Sequence, residues 1–122
     1  MKKINAFEKA IANQVHSLRE CGFNPTVFWA YRKSQDANND LIDFSEIIWD
    51  TDIKPIVDTL NSNDITEFTI SCQFSGLITT MVLFEKYGFK VAGTTEVTAS
   101  YRDWSTGKNA RIPAVIMKKE VQ

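Results

Sequence analysis

The segment from residue 67 to about residue 101 constrains the fold more than any other part of the sequence. Residues 67–72 alternate strictly between polar and apolar side chains, which is the pattern of a strand with one buried face. The broadly apolar stretch from Ser75 to Gly88 predicts a helix that packs on the sheet and ends at the glycine. A second strand is expected over Phe89–Tyr101, bent or bulged at Gly93. The apolar residues of the predicted helix are Leu77, Ile78, Met81, Val82, Phe84 and Tyr87.

The C-terminal third is predicted to be a β-hairpin. Residues 103–109 are rich in turn-forming residues, and alternation resumes at Ile112, Ala114 and Ile116. Pro113 cannot donate a hydrogen bond within a sheet, so we expect the second arm of the hairpin to be an edge strand.

Three helices are predicted before residue 67. The first is amphipathic and covers about residues 5–21. The sequence from Asp43 to Glu46 has a capping-box pattern and favours a short helix through Trp49. Thr51 or Asp52 caps a third helix that ends near residue 61.

Residues 26–31 are β-branched and aromatic and follow Pro25, so we interpret them as a strand, with a helical turn as the alternative. Trp29 and Tyr31 would then flank a polar loop and add to an exposed aromatic surface.

These elements predict an α/β (α+β) fold in one small domain over residues 1–122. We expect a mixed sheet of about four strands with a C-terminal hairpin, packed by three to four helices.

The composition favours a cytoplasmic protein. Fourteen basic residues nearly balance fifteen acidic ones, so no net charge draws the chain to nucleic acid or anionic lipid. The N-terminus lacks the apolar core of a signal peptide, and no apolar run approaches the ~18 residues of a membrane helix. We therefore expect no membrane partner. The two cysteines are too few for a disulfide framework.

No combination of residues in the sequence identifies a particular reaction. Cys72 precedes a predicted helix N-terminus, where a thiolate nucleophile is conceivable, but its position on the apolar face favours a buried small side chain. The only imidazole, His16, lies on a different predicted helix. We predict no catalytic residues and no cofactor.

The turn from Ser71 to Gly76 joins a strand to a helix, as phosphate-binding loops do. It has one glycine and no lysine, so Ser75 as a plain helix N-cap is the favoured interpretation. Five aspartates make the middle of the chain acidic without the spacing of a calcium loop, so capping and solvation account for most of them and no metal site is predicted. They are Asp36, Asp40, Asp43, Asp50 and Asp52.

Aromatic and basic residues gather at the hairpin turn, where no periodicity assigns them to the core. Such residues dominate protein interfaces and also stack on bases, so we predict a binding site here. The predicted site comprises Tyr101, Arg102, Trp104, Lys108 and Arg111.

The run from Leu83 to Gly93 is similar to the late segment of GCN5-related N-acetyltransferases, in which a helix ends in a "YEKxGF" run before a strand. That resemblance implies a small acyl-CoA-binding enzyme. The glycine-rich pyrophosphate loop of that family has no counterpart, because residues 72–77 contain only Gly76.

Residues 41–117 contain the runs "IIWDTDIKPI", "EFTISCQFSGL", "FEKYGF" and "TEVTASYRDWSTGKNARIPA". These resemble short proteins carried on plasmids and phages of Gram-positive bacteria. The resemblance implies a mobile-element accessory protein that binds a host protein or ribonucleoprotein, anti-CRISPR inhibition being one case. A homodimer and weak nucleic-acid binding are left open.

Overall fold

The computed structural model describes residues 24–46, 48–62, 64–72 and 75–120. The predicted first helix, over residues 5–21, lies outside them. In chain order the elements are α1 (Pro25–Asp36), β1 (Asp43–Phe44), α2 (Ile53–Ser62), β2 (Glu67–Ile70), α3 (Ser75–Glu85), β3 (Phe89–Arg102) and β4 (Asn109–Lys119).

The four described strands form one mixed sheet in the order β1-β2-β4-β3. β1 and β2 are parallel, with α2 as their crossover, and β4 is antiparallel to both β2 and β3. The predicted mixed α+β fold with a C-terminal hairpin is confirmed.

The predicted strand, helix, strand unit is present but split. β2 and β3 run in the same direction because each is antiparallel to β4, which lies between them. The prediction that the second hairpin arm is an edge strand was therefore wrong. Pro113 is tolerated because β2 pairs with β4 only from Val115 onward, so β4 has one neighbour, β3, at the proline.

The strand predicted at residues 26–31 is also wrong, because this segment is part of α1. Asn24 caps the helix: its Oδ1 accepts hydrogen bonds from the backbone N–H groups of Thr26 at 2.8 Å and Val27 at 3.3 Å. Pro25 occupies the first turn, where its missing N–H costs little. Tyr31 is only 3% exposed and belongs to the core, so it does not extend an aromatic surface.

The capping box predicted at Asp43 is wrong as well, since Asp43 and Phe44 form β1. Their backbones pair with Thr69 and Ile70 of β2. A partner this distant in sequence overrides the local capping pattern.

Four phenylalanines hold the sheet to α3. Phe68 of β2 lies in the middle, with ring centroids 5.3 Å from Phe44, 4.6 Å from Phe84 and 5.1 Å from Phe89. All four are at most 2% exposed. Aromatic pairs of this kind are each worth about 1 kcal/mol beyond their buried area.

The hairpin of β3 and β4 extends well beyond β2. β2 pairs with β4 over only four positions, ending at Ile70 opposite Val115. The predicted bulge near Gly93 is confirmed by the register shift between Val91 and Gly93. Between the turn and residue 114 of β4, β3 and β4 pair only with each other. This two-stranded ribbon contains the predicted binding residues.

Candidate functional site

The tip of the hairpin, which we call the rim, presents the five predicted binding residues together. The rim comprises Tyr101, Arg102, Trp104, Lys108 and Arg111. All five are exposed; Tyr101 is 53% exposed and Trp104 is 100% exposed. An indole with no buried surface contributes nothing to the stability of the described fold.

Hydrogen bonds within the turn order the rim. The Asp103 carboxylate accepts from the backbone N–H of Ser105 at 2.8 Å and from its hydroxyl at 2.7 Å. These bonds lower the pKa of Asp103 and keep it ionised. The backbone N–H of Asp103 donates to the Lys108 carbonyl at 2.7 Å, and Gly107 adopts a positive φ of 73°. Trp104 is thus displayed on an ordered turn.

The basic side chains of the rim differ in whether they already bind other residues of the protein. Arg111 lies across the ribbon: its guanidinium donates to the Thr98 hydroxyl at 2.8 Å and the Glu96 carbonyl at 3.3 Å. It also lies 3.9 Å from the Glu96 carboxylate. Arg102 and Lys108 make no side-chain hydrogen bond or ion pair with other described residues. Arg111 therefore supports the ribbon, whereas Arg102 and Lys108 can contact a partner directly.

Asn39 fixes the ribbon to the rest of the molecule. Its side-chain amide donates to the Thr98 carbonyl at 3.0 Å and accepts from the Thr98 backbone N–H at 2.9 Å. One side chain thus takes the place of a neighbouring strand on the outer edge of β3. Sequence reasoning missed this contact, because 59 residues separate the two positions.

A cavity of about 540 Å³ lies beside the rim, at the carboxyl ends of β1 and β2. It exists because β2 ends early while β3 and β4 continue past it. The described lining residues are Lys33, Ser34, Asn39, Asp43, Ser45, Glu46, Ser71, Cys72, Thr98, Ala99, Tyr101 and Ile112. Tyr101 is shared between the cavity and the rim.

Asp43 is the buried charged group of this cavity. It is 9% exposed, and its carboxylate accepts hydrogen bonds from the hydroxyls of Thr69 at 2.6 Å and Ser71 at 2.5 Å. Its backbone N–H donates to the Ser34 hydroxyl at 2.9 Å. Burial raises the pKa of Asp43, although the two hydroxyls and the charge of Lys33 oppose the rise. The interpretation of this aspartate as a capping and solvated residue was therefore wrong.

Lys33 and Glu46 form an ion pair at the mouth of the cavity. Lys33 Nζ lies 3.8 Å from Glu46 Oε1, and both side chains are largely exposed, at 51% and 84%. Exposed pairs of this type contribute less than about 1 kcal/mol. The pair can therefore separate at little cost when a ligand approaches.

Cys72 is a buried thiol and not an activated one. It is 6% exposed, and its Sγ lies 3.8 Å from the Thr80 hydroxyl. Burial raises the pKa of this thiol, which disfavours the thiolate a nucleophile requires. The buried interpretation of Cys72 is confirmed. His16 lies outside the described residues. Residues 73–74 also lie outside them, so the N-cap interpretation of the turn from Ser71 to Gly76 and the phosphate-loop alternative both stay hypotheses.

An apolar groove lies along the side of α3 that does not pack on the sheet. Trp49 is 66% exposed, and Ile78 and Val82 on α3 are 65% and 47% exposed. They line a groove of about 440 Å³ with Asp50 and Lys86 at its border. The prediction that α3 packs on the sheet is confirmed by Phe84, whose ring contacts that of Phe68. The breadth of its apolar face was the signal in the sequence for the groove, because such a face is wider than one sheet can cover.

Within the ranges that the structure describes, no group of three His, Cys, Asp or Glu side chains is placed to hold a metal ion. None of the described helices combines the length and apolar character needed to cross a bilayer.

The fold and these surfaces define a small mixed α+β protein with an aromatic, basic hairpin tip beside a polar cavity. Residues 26–119 match the family described as Domain of unknown function (DUF7698), and the chain belongs to this family. No curated protein and no solved structure matches the chain.

Proposed function

We propose that the protein is a non-enzymatic, cytoplasmic binding module that engages a protein partner through the rim. The observation that carries this proposal is the complete exposure of Trp104 on an ordered turn. Burying a Trp side chain at an interface removes about 200 Å² from water and commonly produces a hot spot of 2 kcal/mol or more. Because the turn is already ordered, little conformational entropy is lost on binding.

The charge of the rim indicates what kind of surface the partner presents. Arg102 and Lys108 are available cations on either side of Trp104, while Asp103 is engaged within the turn. The complementary surface is an apolar pocket bordered by acidic groups. The resemblance to plasmid and phage proteins supports a host protein or a ribonucleoprotein as the partner, and an accessory role in a mobile element. Anti-CRISPR-type inhibition is one form that such a role takes.

The proposal is tested by comparing two variants in quantitative affinity capture from a host lysate, followed by direct titration of the recovered protein. The rim variant is Trp104→Ala with Arg102→Ala. The matched control is Trp49→Ala, which removes an exposed indole from the apolar groove instead. We expect the rim variant to weaken binding about 30-fold or more, and the control to bind like the wild type.

Each other result identifies a different surface or function. Loss of the partner by Trp49→Ala alone would show that the groove, and not the rim, binds the partner protein. If the wild type is a dimer and Trp49→Ala is a monomer, the groove is a homodimer interface. Equal recovery by both variants would refute the assignment of the rim. A mobility shift with nucleic acid at low salt would favour nucleic-acid binding by the rim. Heat released on titration with acetyl-CoA would favour the acetyltransferase hypothesis.

A further inference from the structure

The cavity beside the rim contains a carboxylate whose charge has no contacting cation among the described residues. Asp43 is 9% exposed, and its two recorded side-chain partners, Thr69 and Ser71, are neutral hydroxyls. The nearest described cation on the cavity wall, Lys33, is ion-paired with Glu46. Removing a carboxylate from water is costly unless a positive charge compensates it. Lys33 acts on Asp43 without contacting it and is paired with Glu46, so two carboxylates share one described cation on the cavity wall.

We propose that this cavity binds a cationic nitrogen group, an ammonium or a guanidinium, carried either by a free small molecule or by a basic side chain of a bound polypeptide. The proposal does not depend on the function proposed for the rim, since Asp43 and Glu46, which supply the negative charge, are not rim residues and only Tyr101 borders both.

The hydrogen-bonding capacity of Asp43 fits such a ligand. A carboxylate oxygen accepts about two hydrogen bonds, and each oxygen of Asp43 accepts one from a described side chain. One acceptor position thus remains on each oxygen. Charged N–H donors make the strongest bonds to such positions.

The charges of the described lining select a cation over an anion. Lys33 contributes one positive charge, and Asp43 and Glu46 contribute two negative charges, which leaves one net negative charge. The described lining contains no arginine with which to clamp a phosphate or a carboxylate. Because the Lys33–Glu46 pair is exposed, an incoming cation can displace Lys33 and gain Glu46 as a second anionic contact.

The size and apolar walls of the cavity fit a cation on an aliphatic stem. A volume of about 540 Å³ exceeds what an ammonium group alone requires. Ala99 and Ile112 supply apolar contact for a stem, and Tyr101, which also lines the cavity, has an aromatic ring that can make a cation–π contact. The carboxyl ends of the parallel strands β1 and β2 open into this space, which is where open α/β sheets bind their ligands.

The test uses matched probes that differ in charge and not in shape. The full chain is titrated with N-acetyl-arginine methylamide and with its neutral isostere, N-acetyl-citrulline methylamide, while amide chemical shifts are followed by NMR. We expect the arginine probe to shift the amides of residues 43–46 and 71–72 and to bind at least about tenfold more tightly than the citrulline probe. Equal affinities for the two probes would overturn the proposal.

Butylguanidine, a free guanidine with one positive charge and no flanking amides, distinguishes the two sources of the cation. Tighter binding of butylguanidine identifies a free small molecule, and tighter binding of the blocked arginine identifies a side chain of a polypeptide. Absence of binding by both cations up to about 10 mM would refute the proposal.

Variants locate the binding charge. Asp43→Asn keeps the shape of the side chain and removes its charge, so we expect at least a tenfold loss of affinity for the arginine probe, roughly the loss of one charge-assisted hydrogen bond. Asp58→Asn is the control, because Asp58 is an exposed carboxylate on α2 that pairs with Lys54 and lies outside the cavity. It should bind the probe like the wild type.

A second variant keeps the test decisive if Asp43→Asn does not fold. Glu46 is 84% exposed in its side chain, so Glu46→Gln should fold normally. We expect it to weaken the arginine probe several-fold while leaving the citrulline probe unchanged. Wild-type affinity in every folded variant would show that these carboxylates do not bind the cation.

Discussion

Replacing Asn39 with alanine should loosen the hairpin ribbon specifically. The substitution removes two hydrogen bonds, of 2.9 and 3.0 Å, to the backbone of Thr98. Each such bond contributes about 1 kcal/mol net, so the free energy of unfolding should fall by about 2 kcal/mol. For a chain of this size the melting temperature should then fall by about 8 °C. Because Asn39 is not among the positive-φ residues, a change of backbone preference does not confound the result.

Amide hydrogen exchange gives the local measurement. In the Asn39→Ala variant the Thr98 amide loses its recorded acceptor and should exchange much faster, while the amides of β2 stay protected. Asn39→Asp is the informative control, since a carboxylate still accepts from the Thr98 N–H but cannot donate to the Thr98 carbonyl. Its Thr98 amide should therefore remain protected although the variant is less stable. A Thr98 amide equally protected in wild type and Asn39→Ala, together with a stability loss below about 0.5 kcal/mol, would refute the reasoning.

Three further predictions follow from buried or constrained groups. Burial raises the pKa of Asp43 above 3.8, so the folded state binds more protons between that value and the raised pKa. The free energy of unfolding should therefore fall as the pH rises through this window. Urea denaturation midpoints should decrease with pH in the wild type and not in Asp43→Asn. The same pH dependence in both proteins would contradict this prediction. In a Cys21→Ser background, Cys72 should react with a disulfide reagent far more slowly in the native than in the denatured protein, because burial raises its pKa; equal rates would argue against burial. Gly88 has a φ of 90°, with no atom within 4 Å of an added Cβ, so Gly88→Ala should cost about 1 kcal/mol through the backbone alone. Gly88→Asn should cost less in the same denaturation experiment, and equal losses would contradict a conformational cause.

Local signals were sufficient for the elements that contain their own periodicity. α2 begins at Ile53 and ends at Ser62, close to the predicted bounds, because its apolar spacing and Pro55 lie within one short window. The same is true of α3 and of the strands β2 and β3. The rim was also predicted correctly as an exposed group, since Trp104 lies in a turn that no periodicity connects to the core.

The missed features depend on residues that are distant in sequence. The hydroxyls around Asp43 come from positions 26 and 28 residues away, so no local pattern places them together. The cavity arises from the difference in length between β2 and its neighbours, and this is a property of pairing. α1 is a different case, because Asn24 followed by Pro25 is a helix start that was readable in the sequence. The β-branched and aromatic composition of residues 26–31 favours a strand, but this preference is weaker than the helix start.

The position of β4 has a consequence for biosynthesis. Of the described strands, β4 is the last in sequence and is synthesised after β2 and β3, yet it lies between them in the sheet. Until Asn109–Lys119 has emerged, β2 and β3 have no common neighbour, and the nascent chain exposes two strand edges that aggregate readily. Pairing is then completed by contacts that span about fifty residues between β2 and β4, which slows folding relative to local hairpins. A premature stop codon just before residue 109 would therefore leave the sheet without β4, the strand that joins β2 to β3.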